Sequence, residues 1–75
     1  MELVKNKASG KYFIVLDDMG DTGFLVITPE GRVKNLESRL FGPPLSVDSM
    51  DSQWNMRLTK EQVELYAEFY DEEGI

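Results

Sequence analysis

Two runs of consecutive apolar residues, Tyr12–Leu16 and Phe24–Ile27, dominate the first half of the chain. Each is short, β-branched or aromatic, and bounded by turn chemistry. Lys7-Ala8-Ser9-Gly10 precedes the first, Asp17-Asp18-Met19-Gly20-Asp21-Thr22-Gly23 separates the two, and Pro29-Glu30-Gly31 closes the second. That combination predicts strands rather than helix. Leu3-Val4 begins another short apolar run, and Arg32-Val33-Lys34 returns from the Pro29–Gly31 turn as a tight hairpin. Pro presets φ there and Gly supplies a positive φ. Residues 1–35 therefore read as a β-meander.

Both strong runs are apolar at successive positions. Side chains alternate across a strand, so Tyr12, Ile14 and Leu16 point to one face of the sheet while Phe13 and Val15 point to the other. A sheet that is apolar on both faces has to be covered on both. One face can close on itself, as in a small barrel, and the second needs another element.

That element is expected near the C-terminus. Thr59-Lys60-Glu61-Gln62 is a capping box, and Leu58 and Val63 stand at the positions of a hydrophobic staple. The helix is expected over 60–71, with Gly74 as its stop. At about 100° per residue, Leu65, Phe69, Tyr66, Tyr70, Val63 and Ala67 cover roughly half its circumference. Glu61, Glu64, Glu68 and Asp71 occupy the other side. Between meander and helix, residues 36–52 form an irregular segment in which Gly42-Pro43-Pro44 forbids a continuous helix or a central strand. Gln53-Trp54-Asn55-Met56-Arg57-Leu58 then alternates polar and apolar, the pattern of a half-buried strand over 53–58.

The 75 residues make one domain, 1–75. The fold class is α+β and mainly β: a small antiparallel sheet or an SH3-like barrel, with one C-terminal helix packed on it. A chain this small buries only about 60% of the surface that its unfolded form exposes. It contains no Cys and no His, so disulfides and Cys/His zinc sites cannot supplement the core. No apolar run approaches the roughly 20 residues that span a bilayer, and no secretory leader pattern opens the chain. A cytoplasmic protein without membrane contact is expected.

Net charge is −6 and unevenly placed: residues 1–47 carry six basic and six acidic groups, residues 48–75 two basic and eight acidic. The acidic helix face, Glu61, Glu64 and Glu68, is a candidate docking surface for a basic partner, although a solvated outer face explains it as well. The loop Leu40-Phe41-Gly42-Pro43-Pro44-Leu45, with Phe41, Pro43 and Pro44 foremost, is a second candidate partner site, because an apolar segment beside two prolines is hard to bury completely. Phe41 can equally serve the core. Lys5 and Lys7 share strand parity, as do Arg32 and Lys34, and such basic pairs on a small barrel suit nucleic acid. The acidic balance of the whole chain opposes that reading, since non-specific nucleic-acid affinity is mainly phosphate neutralisation.

Candidate chemistry is sparse. Asp17, Asp18 and Asp21 do not follow the calcium-loop order, because Met19 occupies a ligand position and no Glu follows at the required distance. Asp21-Thr22-Gly23 matches a three-residue string of retroviral-type aspartic proteases, but Gly-flanked Asp is ordinary turn chemistry. Without His or Cys, general acid–base and nucleophilic catalysis would fall to carboxylates, Lys and Tyr. The expectation is a non-enzymatic accessory module without a cofactor, binding another protein or a second copy of itself, with a nucleic-acid-associated small barrel as the alternative.

Overall fold

The apolar runs become the centre of a five-stranded antiparallel sheet in the computed structural model, which describes residues 1–47 and 57–73. The strands are β1 (Glu2–Lys5), β2 (Tyr12–Asp18), β3 (Phe24–Ile27), β4 (Val33–Leu36) and β5 (Leu45–Ser46), in the spatial order β4-β3-β2-β1-β5. Helix α1 (Lys60–Glu73) follows all of them. The architecture is α+β and mainly β, as expected. Of the two sheet forms anticipated, the open one is found, with β4 and β5 as its edges and no closure into a barrel. Pro43 and Pro44 have no N–H to offer a ladder, so the ladder of the returning chain is short, with Leu45 opposite Leu3 and Ser46 opposite Glu2.

Both faces of the sheet are covered, by different means. On one face, Val4, Phe13, Val15, Phe24 and Val26 form a buried cluster closed by Phe41 from the loop after β4. The Phe41 ring meets Phe13 edge-on at 5.1 Å and Phe24 at 6.1 Å. Aromatic pairs favour such tilted contacts, which place a ring edge against a neighbouring face. On the other face, Leu3, Ile14 and Ile27 are fully buried beneath Leu58 and the helix residues Val63, Leu65 and Tyr66. The helix thus covers the Tyr12–Ile14–Leu16 side, as the strand parity requires. Phe69, assigned to the same apolar half, is 38% exposed, so the end of α1 runs beyond the sheet.

The two strong strands do not pair evenly. Ile14 opposes Ile27 and Val15 opposes Val26, but the next pair is Asp17 with Leu25, leaving Leu16 as an extra residue. Such a bulge bends the strand and increases its local twist. At the opposite end of the β2–β3 pair lies Gln62, which is 1% exposed. Its side-chain amide donates to the backbone carbonyls of Tyr12 at 2.8 Å and Ile27 at 3.2 Å. One helix side chain therefore bridges two strands.

The capping box forms with both halves. The Gln62 N–H donates to Thr59 Oγ1 at 3.2 Å, and the Thr59 N–H donates to Gln62 Oε1 at 2.9 Å. The Thr59 hydroxyl also donates to the Pro29 carbonyl at 2.5 Å, bolting the helix start to the β3–β4 turn. Gly31 in that turn has φ +78°, and a Cβ there would stand 2.8 Å from Glu61 Cβ. Leu58 and Val63 share one cluster, as a staple requires. Of the strand expected over 53–58, residues 53–56 lie outside the described residues. Arg57 and Leu58 form a turn and bend, because the chain must redirect at Thr59 to start the helix.

Candidate functional site

Tyr12 opens β2 opposite Lys5 of β1, and cross-strand partners share a face. The Lys5 ammonium lies 5.9 Å from the centre of the Tyr12 ring, within range of a cation–π contact. Beyond this pair the chain turns through Asn6–Gly10. The Asn6 side-chain oxygen accepts the N–H groups of Ala8 and Ser9, at 3.0 and 2.9 Å. This Asx-type bonding explains an Asn at the head of a turn.

The loop after β4 is tied to the same end of the sheet. The Lys7 N–H donates to the Leu40 carbonyl and the Gly42 N–H to the Lys5 carbonyl, each at 3.0 Å. These bonds, with the isolated bridge between Asn6 and Phe41, hold Gly42 and Pro43 beside Lys5. The result is a largely apolar groove of about 440 Å³ lined by Lys5, Asn6, Lys7, Tyr12, Gly42, Pro43 and Leu45. A second hollow, about 330 Å³, lies on the other side of Tyr12 and is lined by Gly10, Lys11, Tyr12, Pro29, Arg57, Thr59 and Gln62. Tyr12 is the residue common to both. Arg57 Nη1 approaches the Tyr12 hydroxyl at 3.5 Å, at the outer limit of a hydrogen bond.

The charges around this surface have one sign. Lys5, Lys7, Lys11 and Arg57 line the two hollows, and among the described residues no Asp or Glu does. A third hollow of about 370 Å³ has the opposite character, lined by Glu2, Asp17 and Asp18 together with Tyr66.

The remaining sequence-derived candidates are distributed over the molecule. Phe41 is only 4% exposed and belongs to the core, so it is not presented to a partner. Pro43 lines the groove and Pro44 is exposed beside it. Glu61, Glu64 and Glu68 are exposed on α1, with Glu64 3.8 Å from Lys60, and none lines either basic hollow. The four cations proposed from strand parity are not brought together. Lys34 opposes Val26 and so lies on the Phe41 side of the sheet, whereas Lys5 opposes Tyr12 on the helix side. Arg32 is exposed at the start of the β4 return. Arg39 is hydrogen-bonded to Glu37, and that bond together with the nearby carboxylate raises its guanidinium above the ordinary arginine range.

Asp18 and Asp21 sit in turn structure. Asp18 Oδ1 accepts the Gly20 N–H at 3.0 Å, and Asp21 lies in a single 3-10 turn, Gly20–Thr22. Among the described residues no cluster of acidic side chains is arranged to hold a metal ion. Leu45, within the candidate loop, lines the groove, whereas sequence reasoning missed Lys11 and Arg57. Lys11 beside the aromatic head of β2 was a local signal. Arg57 carried none, since only the fold brings it across 45 positions to Tyr12.

Comparisons with protein-family models, with curated proteins and with solved structures find no match for this chain.

Proposed function

We propose that this chain is a non-enzymatic interaction module that binds a partner protein at the Tyr12 surface. The observation that carries this reading is the apolar groove between Tyr12, Pro43 and Leu45, beside which Leu45 stays 43% exposed. Leu40, on the same loop, is 39% exposed. Apolar side chains gathered at a concave site, with polar groups at its margin, are the ordinary setting for an anchoring residue of a partner. The groove is built on backbone hydrogen bonds between β1 and the Leu40–Gly42 loop, so its shape precedes binding. Nucleic acid is the alternative, supported by an aromatic ring among four cations. It is opposed by the net charge of −6 and by the separation of Lys34 from Lys5.

A photoreactive side chain introduced at Pro44, with the same group at Asn35 as control, tests the proposal in extract of the native cell. A discrete protein adduct is expected at Pro44, absent at Asn35, and competed by excess unmodified chain but not by a Leu45→Asp variant. Adducts of equal yield at both positions would refute it.

A further inference from the structure

We infer that the occupant of the Tyr12 surface is an acidic protein segment carrying one apolar anchor residue, a deepening that rests on the protein-docking reading above. The argument begins with charge. The chain carries −6, so the residues other than Lys5, Lys7, Lys11 and Arg57 sum to −10. Yet these four cations line the two hollows that meet at Tyr12, and among the described residues no carboxylate lines either. A basic segment would be drawn to the helix stripe or to the hollow beside Asp17 and Asp18, and a neutral one would have no electrostatic reason to choose among them. A negatively charged segment is steered toward these cations.

Shape supplies the second half. The larger hollow has an apolar floor, built from the Tyr12 ring, Pro43 and Leu45, and room for one large aliphatic or aromatic side chain. Lysine stems pack along apolar surface while their ammonium groups stay in water, so Lys5 and Lys7 can border the anchor and still reach carboxylates beside it. Because Tyr12 is common to both hollows, a segment anchored in the first passes directly to Lys11 in the second. A single-stranded polynucleotide fits less well. Such ligands are held by successive bases stacking on aromatic side chains along a charged track. Among the described residues, one aromatic ring lies here with proline, leucine and glycine.

The test is selection of a displayed library of random peptides of about eight residues, roughly 26–29 Å when extended, on the immobilised full chain. Amide shifts of the isotope-labelled chain then map the selected peptides, with an oligothymidylate of similar length as a second probe. Enriched peptides are expected to be net negative with one conserved apolar position and to shift Lys5, Lys7, Tyr12 and Leu45. Their affinity should fall about tenfold in a Lys7→Glu/Lys11→Glu variant, and markedly when salt rises from about 0.01 to 0.15 M as the screening length shortens from roughly 30 to 8 Å. Both lysines are exposed, and the unfolding midpoint of the variant serves as the check on its fold. Enrichment of neutral or basic peptides at the same residues would overturn the acidic assignment while leaving protein docking in place. No enrichment, or shifts confined to the helix stripe, would overturn both. Oligothymidylate binding at Tyr12 that displaces the peptides would overturn both in favour of nucleic acid.

Discussion

Replacing Gln62 with leucine probes the joint between helix and sheet more directly than any truncation of the apolar core. The wild-type amide satisfies the Tyr12 and Ile27 carbonyls and accepts the Thr59 N–H. Leucine has nearly the same size and offers none of these bonds. A buried polar group that loses its partner costs about 1–3 kcal/mol, with the partly buried ones at the lower end. Three such losses sum to roughly 3–5 kcal/mol, and burial of the leucine side chain returns about 1–2 kcal/mol. The net cost is about 1–4 kcal/mol, set against a total stability of roughly 4–11 kcal/mol for a chain of this length. In a domain of this size each kcal/mol moves the unfolding midpoint by about 4–8 °C, so a fall of more than roughly 4 °C is expected in a thermal scan followed by far-UV circular dichroism. Gln62→Glu sharpens the test, because it turns two donors into acceptors facing carbonyls. The folded state then favours the protonated acid, and its pKa is raised above the ordinary value of about 4.3. Between those two values the folded state binds more protons than the unfolded one. The stability of this variant relative to wild type should therefore rise as pH falls through that window and stay lowest above it. A Gln62→Leu protein within about 0.5 kcal/mol of wild type, a difference typical of neutral surface substitutions, would refute the bridging role.

Other substitutions separate packing from surface. Gly23→Ala should be severely destabilising, because a Cβ there would lie 2.2 Å from the Leu36 carbonyl oxygen at φ +105°, whereas Gly20→Ala, at φ +65° with open space around it, meets only backbone strain of about 1 kcal/mol; urea midpoints rank the two. Phe41→Ala should cost about 3–5 kcal/mol as a core truncation, and Leu40→Ala less than about 1 kcal/mol, by equilibrium denaturation. Thr59→Ala removes both the cap and the bond to Pro29, so a loss of about 1–2 kcal/mol is expected in the same assay.

The strands, the helix and the two-faced sheet are legible in the sequence because each rests on local pattern. Tyr12–Leu16 and Phe24–Ile27 are β-branched or aromatic between turn residues, and Thr59–Gln62 is a capping box whose atoms lie within one turn. What stayed hidden depends on distant pairing. Leu45–Ser46 follows two prolines and becomes a strand only because β1 supplies a partner. Phe41 sits in an irregular segment, and nothing near it in the chain reveals that Phe13 and Phe24 leave a space for its ring. Gln62 reads as a helix-cap side chain, yet its amide end reaches two strand carbonyls 35 and 50 positions earlier. The candidate surface shows the same division. Lys5 and Lys7 were visible as a pair, but their grouping with Arg57 rather than with Arg32 and Lys34 is a property of the fold.

Helix α1 comes after every strand, and this order has a consequence during synthesis. Leu3, Ile14 and Ile27 lie in strands made before Thr59, but part of their cover, Val63, Leu65 and Tyr66, arrives only with the helix. At about 5–20 residues per second, the stretch from Thr59 to Glu73 takes roughly one to three seconds to translate. During that interval the nascent sheet shows bare aliphatic side chains, and the end of the β2–β3 pair waits for an amide from a residue not yet present. A pause at any codon after Leu58 lengthens that exposure, which is the condition under which nascent chains engage chaperones or aggregate. Codon usage across 59–73 should therefore govern the soluble yield of this protein more strongly than codon usage across the strands.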